Sequence, residues 1–168
     1  ALREGIELHI EQTQVQIERV EQAMEKLQAR PGRKVCEAMR GLVEEAQHSI
    51  GEQDGKGPIL DLVIVAGMQR IEHYEIAAYG TDIALAEALG AQEVVNLLMA
   101  TLAEDKQTDL KLTAVTHHAI IPAAMESAAE QEPSTRKTPH SATARHTLPA
   151  TDARGPPAAR RALPTPPA

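Results

Sequence analysis

From Ile6 onward the residues Ile6, Ile10, Thr13, Ile17, Val20, Met24 and Leu27 recur at alternating spacings of four and three. That spacing predicts an α-helix with one narrow apolar seam, ended by Pro31-Gly32. A second period through Val35, Met39, Leu42, Val43, Ala46 and Ile50 predicts a shorter helix, closed by the glycine-containing loop from Gly51 to Pro58. The longest predicted helix starts with Pro58 at its first position and runs to Leu89, with Gly90 as the residue after its cap. A last helix is expected from about Ala91 to Thr116, ending before Pro122. No useful stretch alternates with period two. The fold class is therefore all-α, with antiparallel neighbours across the joint at Gly90.

Composition sharpens this picture and divides the 168-residue chain. There is no Trp, no Phe and only two tyrosines, Tyr74 and Tyr79, so the core must be aliphatic. Eight of the eleven prolines lie from Pro133 onward, where the large apolar side chains are Leu148 and Leu163. Such a segment cannot bury enough surface to fold, which predicts a bundle domain over 1–120 and a disordered Pro/Ala/Arg-rich tail over 121–168. From Pro133 onward six basic residues against Asp152 give +5, so in a chain of net −7 the residues before Pro133 carry −12. A body this acidic, with a tail lacking a dense basic run or interleaved aromatics, argues against nucleic-acid binding. The single Cys36 excludes a disulfide framework, and the reducing compartment this suggests points to the cytoplasm. The longest apolar run, Ile59 to Met68, is interrupted by Asp61 and is too short for a membrane span. No signal peptide is visible. The chain opens in a helical pattern without an initiator Met or lead-in, which reads as a fragment.

The informative charges are acids on apolar seams. Advancing each residue of the long helix by about 100° puts Leu60, Ile64, Met68, Ile71, Ala78, Ala86 and Leu89 on one stripe. Glu75 falls at its centre, Asp82 just beyond and Glu72 on its flank. In the last helix Val94, Val95, Leu98, Leu102, Leu112 and Thr113 form the stripe that Asp105 and Asp109 complete. A carboxylate in an apolar interior must protonate, meet a cation or bind metal. Facing acids on neighbouring helices suit a di-metal carboxylate centre, while pairing with Arg70, Lys106 or Lys111 is the plainer alternative. The Glu-x-x-His element usual for such centres is missing, since His73 lies almost opposite the seam of its helix. His9, Thr13 and Gln16 make a polar strip along the first helix, facing either this interior or, more commonly, solvent.

Other chemistry is thin. Cys36 at a helix start is an activated thiol or, more commonly, a small buried hydrophobe. Tyr79, one turn from Glu75, is expected to be a core tyrosine bonded to that carboxylate. The adjacent His117 and His118 point apart on a helix. No phosphate loop, dinucleotide-binding turn, nucleophile elbow or zinc spacing occurs, so hydrolase and nucleotide-enzyme classes have no support.

The string QRIEHYEIAAYGT from Gln69 to Thr81 resembles the signature of the YciE/YciF family of bacterial ferritin-like proteins. HIEQTQVQIERVEQ from His9, CEAMRGLVEEA from Cys36 and NLLMATLAEDKQTDLKLTAV from Asn96 are similar to that family at matching separations, covering about residues 2–116. The resemblance implies a ferritin-like four-helix bundle, usually dimeric, linked to bacterial stress responses, with a di-iron carboxylate site and no settled activity. The helix from Cys36 to Ile50 becomes its crossover. The family's metal positions fall at Glu72, Glu75, Asp105 and Asp109, where iron, or else manganese, is expected as cofactor, with Fe(II) oxidation by oxygen or peroxide as the reaction.

The chain departs from the family in lacking its first bundle helix, with the Asp-Ala-Glu element expected to supply a ligand. A bundle short of that helix exposes an apolar groove, which favours association, and the homodimer expected here is what the resemblance implies. Gln12 stands for the glutamate of the family's His-x-x-Glu-Thr element, and Asp105 stands for a glutamate. These changes sustain a second expectation: a metal-free helical interaction protein whose seam acids are structural.

Overall fold

The computed structural model describes residues 2–53 and 55–131. The expected tail lies outside the described residues from 132 onward, whereas 121–131 are helical. Every element among the described residues is helical: α1 (Leu2–Lys26), α2 (Glu37–Gly51), α3 (Pro58–Ala88), α4 (Gln92–Val115), a π-helical turn (Thr116–Ile120) and α5 (Ile121–Gln131). α3 and α4 pack along their length, α1 lies on α4, α2 lies on α3, and α5 also reaches α3. None of the described helices is long and apolar enough to cross a membrane.

The helix ends follow local chemistry. Pro58 starts α3 at a position where its missing N–H costs nothing. At the other end Gly90 takes φ 68°, its N–H donating to the Glu87 carbonyl and that of Ala91 to the Ala86 carbonyl, both at 2.9 Å. That paired closure is the Schellman motif. α1 closes in the same way, earlier than Pro31-Gly32. Gln28 takes φ 52°, its N–H reaching the Glu25 carbonyl and that of Ala29 the Met24 carbonyl, both at 2.9 Å. The last helix does not stop before Pro122 as expected. The Ile121 N–H donates back to the Thr116 carbonyl, five residues earlier, and this widened turn lets the helix continue through the proline.

The interior is two apolar clusters with a polar layer between them. Ala23, Ala86, Val94, Val95 and Leu98 form one cluster, with Tyr79 and Ile83 against it. Val65, Leu112 and Ile120 form the other, with Leu62 and Met68. Gln16, Glu72, Thr101, Asp105 and Thr108 are the buried polar residues, and along α4 the order Leu98, Thr101, Asp105, Thr108, Leu112 runs from one cluster through the polar layer to the other.

Two expectations are corrected here. α1 leaves much of its apolar seam in water, with Ile10 63% and Ile17 49% exposed, and buries Gln16 and Ala23 instead. α3 buries Val65, Gly67, Glu72 and Ala86, while Leu89 is 73% exposed. α3 is gripped by both α2 and α4, so a single-stripe projection cannot locate its inner face.

Two stability measurements follow. The left-handed region costs a non-glycine residue about 1 kcal/mol, partly offset by the greater chain entropy of glycine. Gln28→Gly is therefore expected to stabilise the protein by about 0.5 kcal/mol, read as a higher urea midpoint at unchanged m-value. At the α2–α3 crossing, a Cβ on Gly67 meets the Ala46 Cβ at 2.9 Å. Gly67→Ala should cost about 1–2 kcal/mol through this overpacking, and adding Ala46→Gly should recover part of it. A Gly67→Ala protein as stable as the parent would mean that α2 sits loosely on α3.

Candidate functional site

α1, α3 and α4 bring His9, Glu72, Glu75 and Asp105 into one electrostatic cluster. Glu72 and Asp105 are each 1% exposed, the deepest acids in the described residues. One oxygen of each is held. The His9 Nε2 lies 3.0 Å from Glu72 Oε1, and the Gln16 amide donates to Asp105 Oδ1 at 2.8 Å. Their second oxygens, Glu72 Oε2 and Asp105 Oδ2, are buried without a partner, as are His9 Nδ1 and the Thr101 hydroxyl. A buried carboxylate oxygen without a donor is costly, so the cluster is satisfied at only half its acceptor sites.

A second tier holds Gln16 in place. Its amide also reaches Glu104 Oε2 at 3.3 Å, and Arg19 clamps Glu104 through both guanidinium nitrogens at 2.5 and 2.7 Å. The Arg19 guanidinium holds the Glu104 carboxyl below the usual range. Glu104 therefore belongs to Arg19, and Asp105 receives only an amide.

Burial dominates the remaining charges. It pushes Glu75 up to about 7, with the Asp105 and Glu72 charges adding to it. Burial likewise pushes Asp105 up to about 6, against the stabilising Gln16 bond. The Glu72 carboxylate raises His9 above its ordinary value through their hydrogen bond, against the opposing effect of burial. Glu75 is half-buried rather than central, opening with Tyr79 and Asp82 onto an apolar cleft of about 540 Å³ lined by Val20, Met24, Leu27, Ala78, Leu85 and Leu89. Burial pushes the Tyr79 phenol up to about 12. No hydrogen bond joins Tyr79 to Glu75 among the described residues.

Of the four acids singled out in the sequence, Glu72, Glu75 and Asp105 come together and Asp109 does not join them. Asp109 Oδ1 accepts from the Gln69 amide at 2.8 Å and lies 3.3 Å from His73 Nε2. The Gln69 amide also reaches the Thr113 hydroxyl at 2.9 Å. His73 is an exposed partner of this pair. Arg70 pairs with Glu45 rather than with a seam acid. The residues that a seam search for acids passes over are Gln16, Arg19 and His9, all on the polar strip of α1. Their i, i+7 and i+10 spacing was the available signal. Cys36 is exposed and caps α2, its thiol 2.9 Å from the Tyr74 hydroxyl and held below its ordinary pKa by that bond.

No group of three or more His, Cys, Asp or Glu among the described residues stands in ready-made metal-ligand geometry. The chemistry of the acids nevertheless suits a hard cation, because Glu72 and Asp105 each keep one buried carboxylate oxygen without a partner. His9 has the arrangement common in metal sites, one ring nitrogen against a carboxylate and the other free.

Three long helices around a buried carboxylate–imidazole layer, with a shorter helix in the crossover, define a helical bundle of the ferritin-like kind. The chain belongs to the family described as Domain of unknown function (DUF892), whose model matches residues 1–126. It is 44% identical over 113 residues to Protein YciF of Escherichia coli (strain K12), covering 67% of this chain and 68% of that one. The crystal structure of the E. coli stress protein YciF superposes with a TM-score of 0.63 at 42% identity, over 67% of this chain and 71% of that one. YcfI from Rhodopseudomonas palustris gives the same TM-score, 0.63, at 46% identity and the same coverage, 67% and 71%. The resemblance drawn from the Gln69–Thr81 string is borne out.

The protonation pattern gives a pH dependence. Glu75, at about 7 against an ordinary 4.5, and Asp105, at about 6 against 3.8, both bind more protons folded than unfolded. His9 above 6.5 acts in the same sense. Stability of the metal-free protein therefore falls as pH rises through these ranges. The thermal midpoint should drop by several degrees from pH 5 to pH 8. Glu75→Gln should flatten much of that slope, and an unaltered slope would show that Glu75 is solvated in the folded state.

Proposed function

We propose that this chain is a stress-related bundle protein whose His9–Glu72–Glu75–Asp105 layer binds iron or manganese. The relation to the E. coli stress protein supports the first half of this reading. The unpartnered Glu72 Oε2 and Asp105 Oδ2 carry the second. A cation entering this layer would give Glu72 Oε2 and Asp105 Oδ2 a partner and offset the mutual repulsion of the acids. Glu72 and Asp105 would be fixed ligands, oriented by His9 and Gln16, whereas Glu75 stands on the cleft side, where a ligand exchanges with solvent. Bound iron would supply the one-electron chemistry for oxidation by oxygen or peroxide.

A second reading is favoured by a different observation. The exposed α1 seam and the apolar cleft are features of a surface that another helix covers. On that reading the chain is a metal-free interaction protein, with homodimerisation as its simplest form, and the buried acids fix packing.

Metal retention separates the two. The protein, loaded anaerobically with Fe(II) or Mn(II) and desalted, should keep metal by elemental analysis. Glu72→Gln with Asp105→Asn preserves the hydrogen bonds from His9 and Gln16, and should lower affinity about tenfold or more. Folded parent protein that keeps no metal would leave the interaction reading standing.

A further inference from the structure

A cavity of about 250 Å³ lies between α1 and α4, with Met68 contributed by α3. We infer that it binds one small amphipathic acid, an aliphatic chain ending in an anionic head group. The two helices run antiparallel, since Gln16 meets Asp105 and Lys26 meets Glu93. The lining is therefore graded from end to end. Leu2, Ile6 and Val115 lie away from the buried polar layer, whereas Gln12, Thr108 and Lys111 lie toward it.

Three features of the wall point to a ligand. Gly5 lies within α1, where glycine is a poor helix former and no left-handed angle calls for one. A Cβ built on Gly5 meets nothing within 4 Å, so the glycine leaves room on the cavity wall. The described residues lining the cavity include the cation Lys111 and no acid, although acids outnumber bases 24 to 17 along the chain. Lys111 is exposed and pairs with no acid among the described residues. Thr108 is 8% exposed and makes no hydrogen bond among them, so its hydroxyl is free for a ligand.

An ammonium beside apolar surface, with an amide and a hydroxyl about a turn away, suits a carboxylate head. The larger cleft onto which Glu75 opens has the opposite character. It carries Glu75 and Asp82 and no cation, and so repels the anion that this cavity attracts. Volume sets the length of the tail. The cavity exceeds the roughly 150 Å³ that accommodates benzene and falls short of the roughly 300–1,000 Å³ of sites for drug-sized ligands. A chain of medium length fits it, and a long acyl chain does not.

The test is a calorimetric titration of the 168-residue protein with octanoate. 1-Octanol serves as the neutral match, and circular dichroism establishes that each protein is folded. Octanoate is expected to saturate at one per chain and to bind about tenfold or more tighter than octanol, as a charge-assisted hydrogen bond requires. Gly5→Leu fills the cavity with a better helix former, and so should stay folded and lose octanoate binding. Lys111→Gln should weaken octanoate about tenfold and leave octanol unchanged. Folded parent protein that takes up no octanoate would overturn the inference, as would folded Gly5→Leu that binds it like the parent. Octanol binding as tightly as octanoate would overturn the anionic class. Should Gly5→Leu unfold, Lys111→Gln decides alone, and an unchanged octanoate affinity there overturns the inference.

Discussion

The structure depends on the removal of Glu72 and Asp105 from water at the middle of the α3–α4 interface. Neither acid can be moved to the surface without turning its helix, because each lies between apolar residues one or two turns away on the same face. Val65 and Leu112 seal one end of the layer, and Ala86, Val94 and Leu98 seal the other. The acids are therefore enclosed by the burial that stabilises the bundle. Their charge must be answered locally, by protons, by His9 and Gln16, or by a cation.

The orientation of α1 follows from this. As an isolated amphipathic helix it would turn Ile10, Ile17, Val20 and Leu27 toward the other helices. Doing so would withdraw His9 from Glu72 and Gln16 from Asp105, leaving two buried carboxylates without donors. It would also break the double clamp of Arg19 on Glu104. Stranding buried charge costs several kcal/mol per group, whereas a half-exposed isoleucine forfeits about 1 kcal/mol. The polar strip wins, and the apolar seam of α1 becomes one wall of the cleft onto which Glu75 opens.

How much of this was legible in the sequence depends on how many partners each helix has. α4 meets its neighbours along one face, and of its expected stripe Val94, Val95, Leu98, Asp105 and Leu112 are buried. Leu102 and Asp109 are half-buried, Thr113 is exposed, and the buried Thr101 and Thr108 were passed over. α3 packs on two sides, so apolar residues surround it. The single-seam projection accordingly put Glu75 at the centre and Glu72 on the flank, the reverse of their depths. α1 was misread for another reason: its most apolar face is not its inner face, because hydrophobicity counts carry no information about which acids another helix will bury. The ends of α1 and α4 were missed through backbone chemistry, Gln28 adopting a conformation that usually marks glycine and a π-helical turn absorbing Pro122.

The buried layer also sets register, and this bears on why it sits in the centre. Apolar clusters of Ala, Val and Leu tolerate sliding, since one aliphatic contact replaces another at little cost. Directed bonds from Gln16 to Asp105 and from His9 to Glu72 do not, because a shift of one residue turns each donor about 100° away. α1 touches the rest of the bundle chiefly through α4, so these two bonds and the Arg19 clamp are what fix its height and rotation. The two acids that keep a buried oxygen free are thus the acids whose other oxygens align the helices, and a change at Gln16 would disturb the Asp105 carboxylate and helix packing together.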